Sequence, residues 1–293
     1  MSFKALLTPT VIDTIRSGYG AQQFRNDVFG GITAAVVALP LALAFGVASG
    51  AGPIAGLYGA IATGFFASLF GGTPVQVSGP TGPMTVVMGV IVATHSDSLP
   101  EAFAIVMLGG LMQMAFGFLR IGRYVAYTPV SVVSGFMSGI GLIIMIIQAL
   151  PFLGMAASAN GVVGALQTLL SLDSASVDVR AALLATAMLL LLVFWPPRIA
   201  RIIPSPLGVL VVGTGISVFL LPDLAVIGAV PSALPSLVIP GITFENIAQL
   251  LQPAFILALL GSIDSLLTSL VADSLTKTQH NSDKELVGQG LGL

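Results

Sequence analysis

Residues 257 to 274, LALLGSIDSLLTSLVADS, place one carboxylate, Asp264, in an apolar run where residues 253 to 272 hold no other ionisable side chain. An aspartate at the centre of a bilayer costs about 2.5 to 3.5 kcal/mol on insertion scales, and intramembrane acids mark pathways and sites more often than packing. On a helix, Asp264 and Thr268 lie one turn apart on a shared face, with Gly261 on it and Ser265 and Ser269 beside it. A carboxylate and hydroxyl oxygens without a basic partner suit a hard cation. Na⁺ fits, and H⁺ on the carboxylate is the competitor. The expected cation ligands are Asp264 and Thr268, with Ser265 as a further oxygen.

A second stretch, GGTPVQVSGPTGPMTVVMGVIVAT at residues 71 to 94, is apolar enough to span but cannot be one helix. Pro74, Gly79, Pro80, Gly82 and Pro83 interrupt it, since proline removes a donor and clashes with the preceding turn. TPVQV reads as extended. Pro83 to Thr94 reads as a half-helix of about 18 Å, too short to cross. Such backbone survives at membrane depth only inside protein or beside a water-filled cavity. Pro83 suits a first helical position, so the half-helix starts at Thr81–Pro83 and points free N–H groups into the membrane interior. Those donors and the helix dipole make an anion site, and broken helices serve transporters in this way. Ser78, Thr81 and Thr85 add hydroxyls and Gln76 an amide. The expected anion site is therefore Thr81 with Gly79, Gly82, Ser78 and Gln76.

Enzymatic readings fare worse. GSID faintly resembles the aspartate motif of intramembrane aspartyl proteases, but that chemistry needs two carboxylates sharing a proton. No second span carries an acid at comparable depth. The two histidines, His95 and His280, fall in loops and read as solvated, and there is no cysteine for thiol or metal chemistry. No enzyme and no cofactor are expected.

The element pattern that must hold these residues is that of a membrane protein. The 293 residues are 56% hydrophobic and 8% charged, against about 25% charged in soluble domains. An all-α polytopic membrane protein in a lipid bilayer follows. A net charge of -2, with the charges in loops, gives no reason to expect a nucleic-acid partner. Eight segments are expected, near residues 29–49, 54–72, 74–94, 102–119, 129–149, 178–195, 205–221 and 253–273. A short interfacial helix is expected around 158–172 and a long Pro-rich connection over 222–252. With the N-terminus in the cytoplasm, nine of ten basic residues lie on cytoplasmic flanks and only Arg180 on the outer side. Gly30 and Gly31, Gly46 with Gly50, and Gly135 with Gly139 are expected to mark close helix packing.

Three stretches, in order along nearly the whole chain, carry a resemblance to the SulP (sulfate permease) anion transporter family. FRNDVFGGITAAVVALPLALAFGVASGAGPIAGLYGA resembles its first two helices, and FGGTPVQVSGPTGPMTVV its broken third. DSLTKTQHNSDKELVGQG resembles the cytoplasmic motif after its eighth. Details look closest to its cyanobacterial sodium-dependent bicarbonate branch. Many members carry a glutamine where this chain has Leu41, which disfavours a tetrahedral oxyanion such as sulfate.

The resemblance implies a fold of two inverted seven-helix repeats. Residues 1–28 would be a cytoplasmic lead, 29–121 core helices 1–4, and 122–222 gate helices 5–7. Residues 223–252 would be an outer connection, and 253–293 core helix 8 with its following cytoplasmic motif. Helices 9–14 and a STAS domain are not reached. Also implied are Phe45 and Thr81 at the anion site, Na⁺ at Asp264 and Thr268, and a homodimer. The expected function is Na⁺-dependent bicarbonate uptake across the plasma (inner) membrane, by elevator-like movement of core against gate. H⁺-coupled or exchange transport of sulfate, dicarboxylate or chloride, and an uncoupled channel, are the alternatives.

Overall fold

A computed structural model of the chain describes residues 6–94, 99–156, 161–173, 176–200, 203, 205–225 and 247–293. The described residues are helices joined by turns and irregular segments. They are α1 (Thr10–Arg16), α2 (Ala21–Ala48), α3 (Pro53–Phe70), α4 (Gly82–Thr94) and α5 (Leu99–Phe118), then a 3-10 turn (Gly122–Tyr127). α6 (Val130–Phe152), α7 (Gly161–Leu170), α8 (Val179–Val193) and α9 (Pro197–Ala200) come next. α10 (Ser205–Leu220), α11 (Ile247–Thr276) and α12 (Ser282–Gly292) complete the order.

Among the described residues five helices are long and apolar enough to cross a membrane, namely α2, α3, α5, α6 and α11, while α4, α8 and α10 are shorter apolar helices. These eight match the eight expected segments. Their starts obey local rules. Pro53 occupies the first turn of α3 after Gly52. Asp178 caps α8 by accepting from the Arg180 and Ala181 N–H groups, and Asn281 caps α12 through the Lys284 N–H. The helix expected around 158–172 is α7, although residues 157–160 lie outside the described residues, as do His95 and residues 226–246 of the outer connection.

Two boundaries differ from expectation. α2 begins at Ala21, well before residue 29, because AQQFRND is polar but contains no helix breaker. α11 begins at Ile247 and carries Pro253 inside it. Leu250 and Ala254 are buried with Leu257, Ile91, Ala102 and Ile105 in the α4–α5–α11 core, so packing outweighs the hydrogen bond lost at the proline.

The stretch expected as a cytoplasmic motif forms a buried helix, α12, packed against α3 and α5. A Cβ on Gly288 would lie 2.4 Å from the Gly71 backbone nitrogen, so only glycine permits this approach of α12 to the end of α3. Gly46 and Gly56 bring α2 and α3 together in the same way. Gly50 lies against Val92 of α4, its Cβ position 3.3 Å from that side chain, whereas among the described residues the other glycine pairs meet nothing. Among the described residues, nothing lies within 4 Å of the Cβ position of Gly30, Gly31, Gly135 or Gly139.

His280 is also corrected. It is not a solvated loop residue, because its Nδ1 lies 2.6 Å from Asp273 Oδ2 and its Nε2 2.8 Å from Ser282 Oγ. That clasp closes the turn between α11 and α12. Apolar side chains such as Leu142, Met145, Leu183, Val211 and Phe219 point outward from α6, α8 and α10, as helices bathed in lipid require.

Candidate functional site

The site begins with what happens between α3 and α4. Residues 71–81 run without helix or strand, so their backbone needs partners from elsewhere. The Thr10 hydroxyl donates to the Gly71 carbonyl at 2.6 Å, and the Asn281 N–H donates to the Gly72 carbonyl at 3.0 Å. The Gly72 N–H donates to Glu285 Oε2 at 2.8 Å. Side chains fix the rest. Ser269 Oγ lies 2.8 Å from Thr73 Oγ1 and donates to Gln76 Oε1 at 2.8 Å. Gln76 Nε2 reaches Ser265 Oγ at 3.4 Å, and Gln289 Nε2 donates to Ser78 Oγ. The extended segment is thus laced to α11 on one side and α12 on the other.

α4 then starts at Gly82 as a half-helix of 13 residues, about 20 Å long. The Thr85 N–H and hydroxyl both return to the Thr81 carbonyl, at 2.9 and 2.7 Å, so the Thr85 hydroxyl is turned back on its own helix. Thr81 Oγ1 is buried without a well-formed hydrogen bond, although it lies beside the Asp264 carboxyl. A buried hydroxyl left unpaired costs free energy.

A cavity of about 710 Å³ opens at this point. Phe45, Gln76, Ser78, Gly79 and Thr81 line it from the expected anion side, and Asp264, Ser265 and Thr268 from the expected cation side. Eight of the nine expected residues therefore share one cavity. Gly82 is the exception. Its Cβ position faces Ile144 of α6 at 2.9 Å, so it serves helix packing and not the cavity.

Asp264 is 7% exposed, and among the described residues no lysine or arginine forms an ion pair with it. The Thr268 hydroxyl donates to the Asp264 carbonyl at 2.8 Å, leaving oxygen lone pairs available on the cavity wall. Among the described residues no group of three or more His, Cys, Asp or Glu gathers as a metal cluster. The donors near Asp264 are carboxylate, hydroxyl and amide, a set that fits a hard monovalent cation and offers no soft ligand.

Three residues were not foreseen. Glu285, 2% exposed, accepts from Gly72, from Ser265 Oγ at 3.2 Å and from Gln289 Nε2 at 2.9 Å. It is a second buried acid, hydrogen-bonded to Ser265, the residue that follows Asp264. Gln289 lines the cavity beside Ser78. Gln113 of α5 is 1% exposed, lines the cavity, and has an Oε1 with no hydrogen-bond partner. Signals existed for all three. Asn281 begins a helix that sets Glu285 and Gln289 one turn apart, and Gln113 is a lone amide in an apolar span.

Comparison with known proteins follows from this geometry. The profile of the Sulfate permease family matches residues 24–292. Bicarbonate transporter BicA of Picosynechococcus sp. is 50% identical over 282 residues, covering 92% of this chain and 50% of that protein. The solved transmembrane domain of a cyanobacterium bicarbonate transporter BicA superposes with a TM-score of 0.81 at 51% identity, over 94% of this chain and 72% of that one. The murine Solute Carrier 26 family member A9 anion transporter in its inward-facing state superposes with a TM-score of 0.80 at 20% identity, over 99% of this chain and 53% of that one. This chain spans about half the length of the curated relatives it matches. It is all-α and polytopic, and it forms part of the inverted-repeat transporter fold that those structures have.

Proposed function

The chain belongs to the sulfate permease family, and from that premise we propose that the protein carries out Na⁺-dependent bicarbonate uptake by secondary active transport. The observation that carries this reading is the shared cavity. It holds a buried carboxylate with no basic partner, Asp264, beside an unpaired buried hydroxyl, Thr81, at the mouth of a half-helix. Na⁺ is bound by Asp264 and Thr268, with Ser265 within reach as a further oxygen. Bicarbonate is held by Thr81, Gly79, Ser78 and Gln76, with Phe45 as an apolar wall.

Coupling follows from Coulomb's law. Bicarbonate entering this low-dielectric pocket alone meets the uncompensated negative charge of Asp264, and Na⁺ bound there cancels that charge. Asp264 supplies the charge that makes Na⁺ the first partner. The half-helix dipole and the Thr81 hydroxyl supply the donors that planar bicarbonate needs. The loaded site then moves with the core helices past the gate helices, an elevator-like step. The protein works in the plasma (inner) membrane with its N-terminus in the cytoplasm, as a homodimer, in inorganic carbon uptake.

The test is labelled bicarbonate uptake into proteoliposomes made with the full-length protein, with and without Na⁺. Wild type is expected to need Na⁺, and Asp264→Asn to lose that need together with most uptake. Uptake that follows a pH gradient and ignores Na⁺ would move the reading to H⁺ coupling at the same carboxylate.

A further inference from the structure

Glu285 and Gln289 lie on α12, which reaches both halves of the cavity, and their hydrogen bonds run to both. Glu285 Oε2 accepts the Gly72 N–H at 2.8 Å, on the segment that leads to Thr81. Its Oε1 accepts from Ser265 Oγ at 3.2 Å, on the helix of Asp264 and next to it in sequence. The same oxygen accepts from Gln289 Nε2 at 2.9 Å, and Gln289 Nε2 also donates to Ser78 Oγ. Among the described residues no lysine, arginine or histidine pairs with this carboxylate. It is held by neutral donors alone.

We propose that Glu285 is a positioning residue that couples the two sites. It fixes the distance between the Asp264 helix and the Ser78–Thr81 segment, so that an ion on one side sets the geometry offered to the other. The inference rests on the Na⁺-coupled reading above and adds to it a residue that touches neither ion.

The chemistry requires a carboxylate and not merely a polar side chain. Both oxygens of Glu285 face donors, so both must accept. An amide of the same shape would turn its NH₂ toward the Gly72 N–H or toward the Gln289 NH₂, and one of the links would break in either orientation. Ser265 is the pivot. Its hydroxyl donates to Glu285 while accepting from Gln76 at 3.4 Å, so a shift of α11 at Asp264 reaches both Gln76 and Glu285. Coupling between two binding sites is reciprocal. A change at Glu285 that weakens the coupling must therefore lower the affinity for each ion in the presence of the other by the same factor.

Bicarbonate uptake by full-length protein in proteoliposomes, measured against Na⁺ and against bicarbonate, tests this in wild type and Glu285→Gln. The variant is expected to raise half-saturating Na⁺ and the KM for bicarbonate together, by about tenfold each, with Vmax per folded molecule within about twofold. A residue that only supports the fold would lower the amount of folded protein and leave both constants in place. Unchanged constants, or a loss confined to Vmax, would overturn the proposal while Na⁺ dependence in wild type kept the parent reading intact. Absence of Na⁺ dependence in wild type would overturn both. Should Glu285→Gln fail to fold, Gln289→Leu keeps the Glu285 charge and its bonds to Gly72 and Ser265, and severs the links from Gln289 to Ser78 and to Glu285. It is expected to raise the KM for bicarbonate more than the requirement for Na⁺, and equal or absent shifts would count against the proposal.

Discussion

Glu285 accepts the backbone N–H of Gly72 at 2.8 Å across 213 positions of sequence. The bond satisfies a donor in the broken segment that no secondary structure could serve, and it draws α12 against the end of α3. The approach is close enough that Gly288 meets the Gly71 backbone directly. The polar lacing and the glycine contact are two aspects of one junction, and predictions about each can be separated.

Gly288→Ala should destabilise the bundle. The added Cβ would fall 2.4 Å from the Gly71 nitrogen and 2.5 Å from its Cα, both backbone atoms that cannot rotate away. Overpacking of this kind costs about 1 to 3 kcal/mol. Gly30→Ala is the control, because nothing lies within 4 Å of that position, and alanine in a helix interior should be neutral or stabilising by up to about 1 kcal/mol. Thermal unfolding in detergent should show Gly288→Ala clearly below wild type and Gly30→Ala at or above it.

Lys284 Nζ lies 3.5 Å from Asp13 Oδ2, with the lysine side chain 6% exposed and the aspartate 59%. Asp13→Ala leaves a buried ammonium unpaired and should cost about 1 kcal/mol. That is less than the 3 to 5 kcal/mol of a fully buried pair, because water already screens the aspartate. Lys284→Met removes the charge together with its need for a partner, and should lose less. If melting temperatures rank the two variants the other way, the pair does not hold α1 to the bundle.

Gln113 keeps an unpaired amide oxygen in the cavity wall beside Gly261. Gln113→Met keeps the volume and removes the unsatisfied group, so stability should hold or rise by about 1 kcal/mol. Transport by the full-length protein should fall if that oxygen serves an ion. Loss of stability without loss of transport would show that the amide is a structural residue.

Much of the fold was legible because its signals are local. The break between residues 71 and 81 is written in Pro74, Pro80 and Pro83 and their glycines. The eight apolar helices are written in runs that lack charge. Asp264 stood out because it is the one ionisable side chain in the twenty residues from 253 to 272. By contrast, Glu285 fell within the stretch expected as a cytoplasmic motif and was not singled out. Its burial depends on glycines meeting Gly71 and Gly110 from far along the chain, and hydropathy cannot register that. His280 was misread for the same reason, since its partners Asp273 and Ser282 come together only when α11 and α12 turn back on each other.

The sequence by itself determined the solvent this chain needs, the helices it forms, the place where one helix must break and the acid that must be explained. Each follows from chemistry within a window of a few turns. Tertiary structure alone decided that Asp264 and Thr81 face one cavity, that Gly82 turns to Ile144 instead, and that Glu285 joins the two walls. The reason is physical. Which polar groups meet depends on how closely the helix backbones can pack, and that distance is set by glycine contacts across more than two hundred residues of chain.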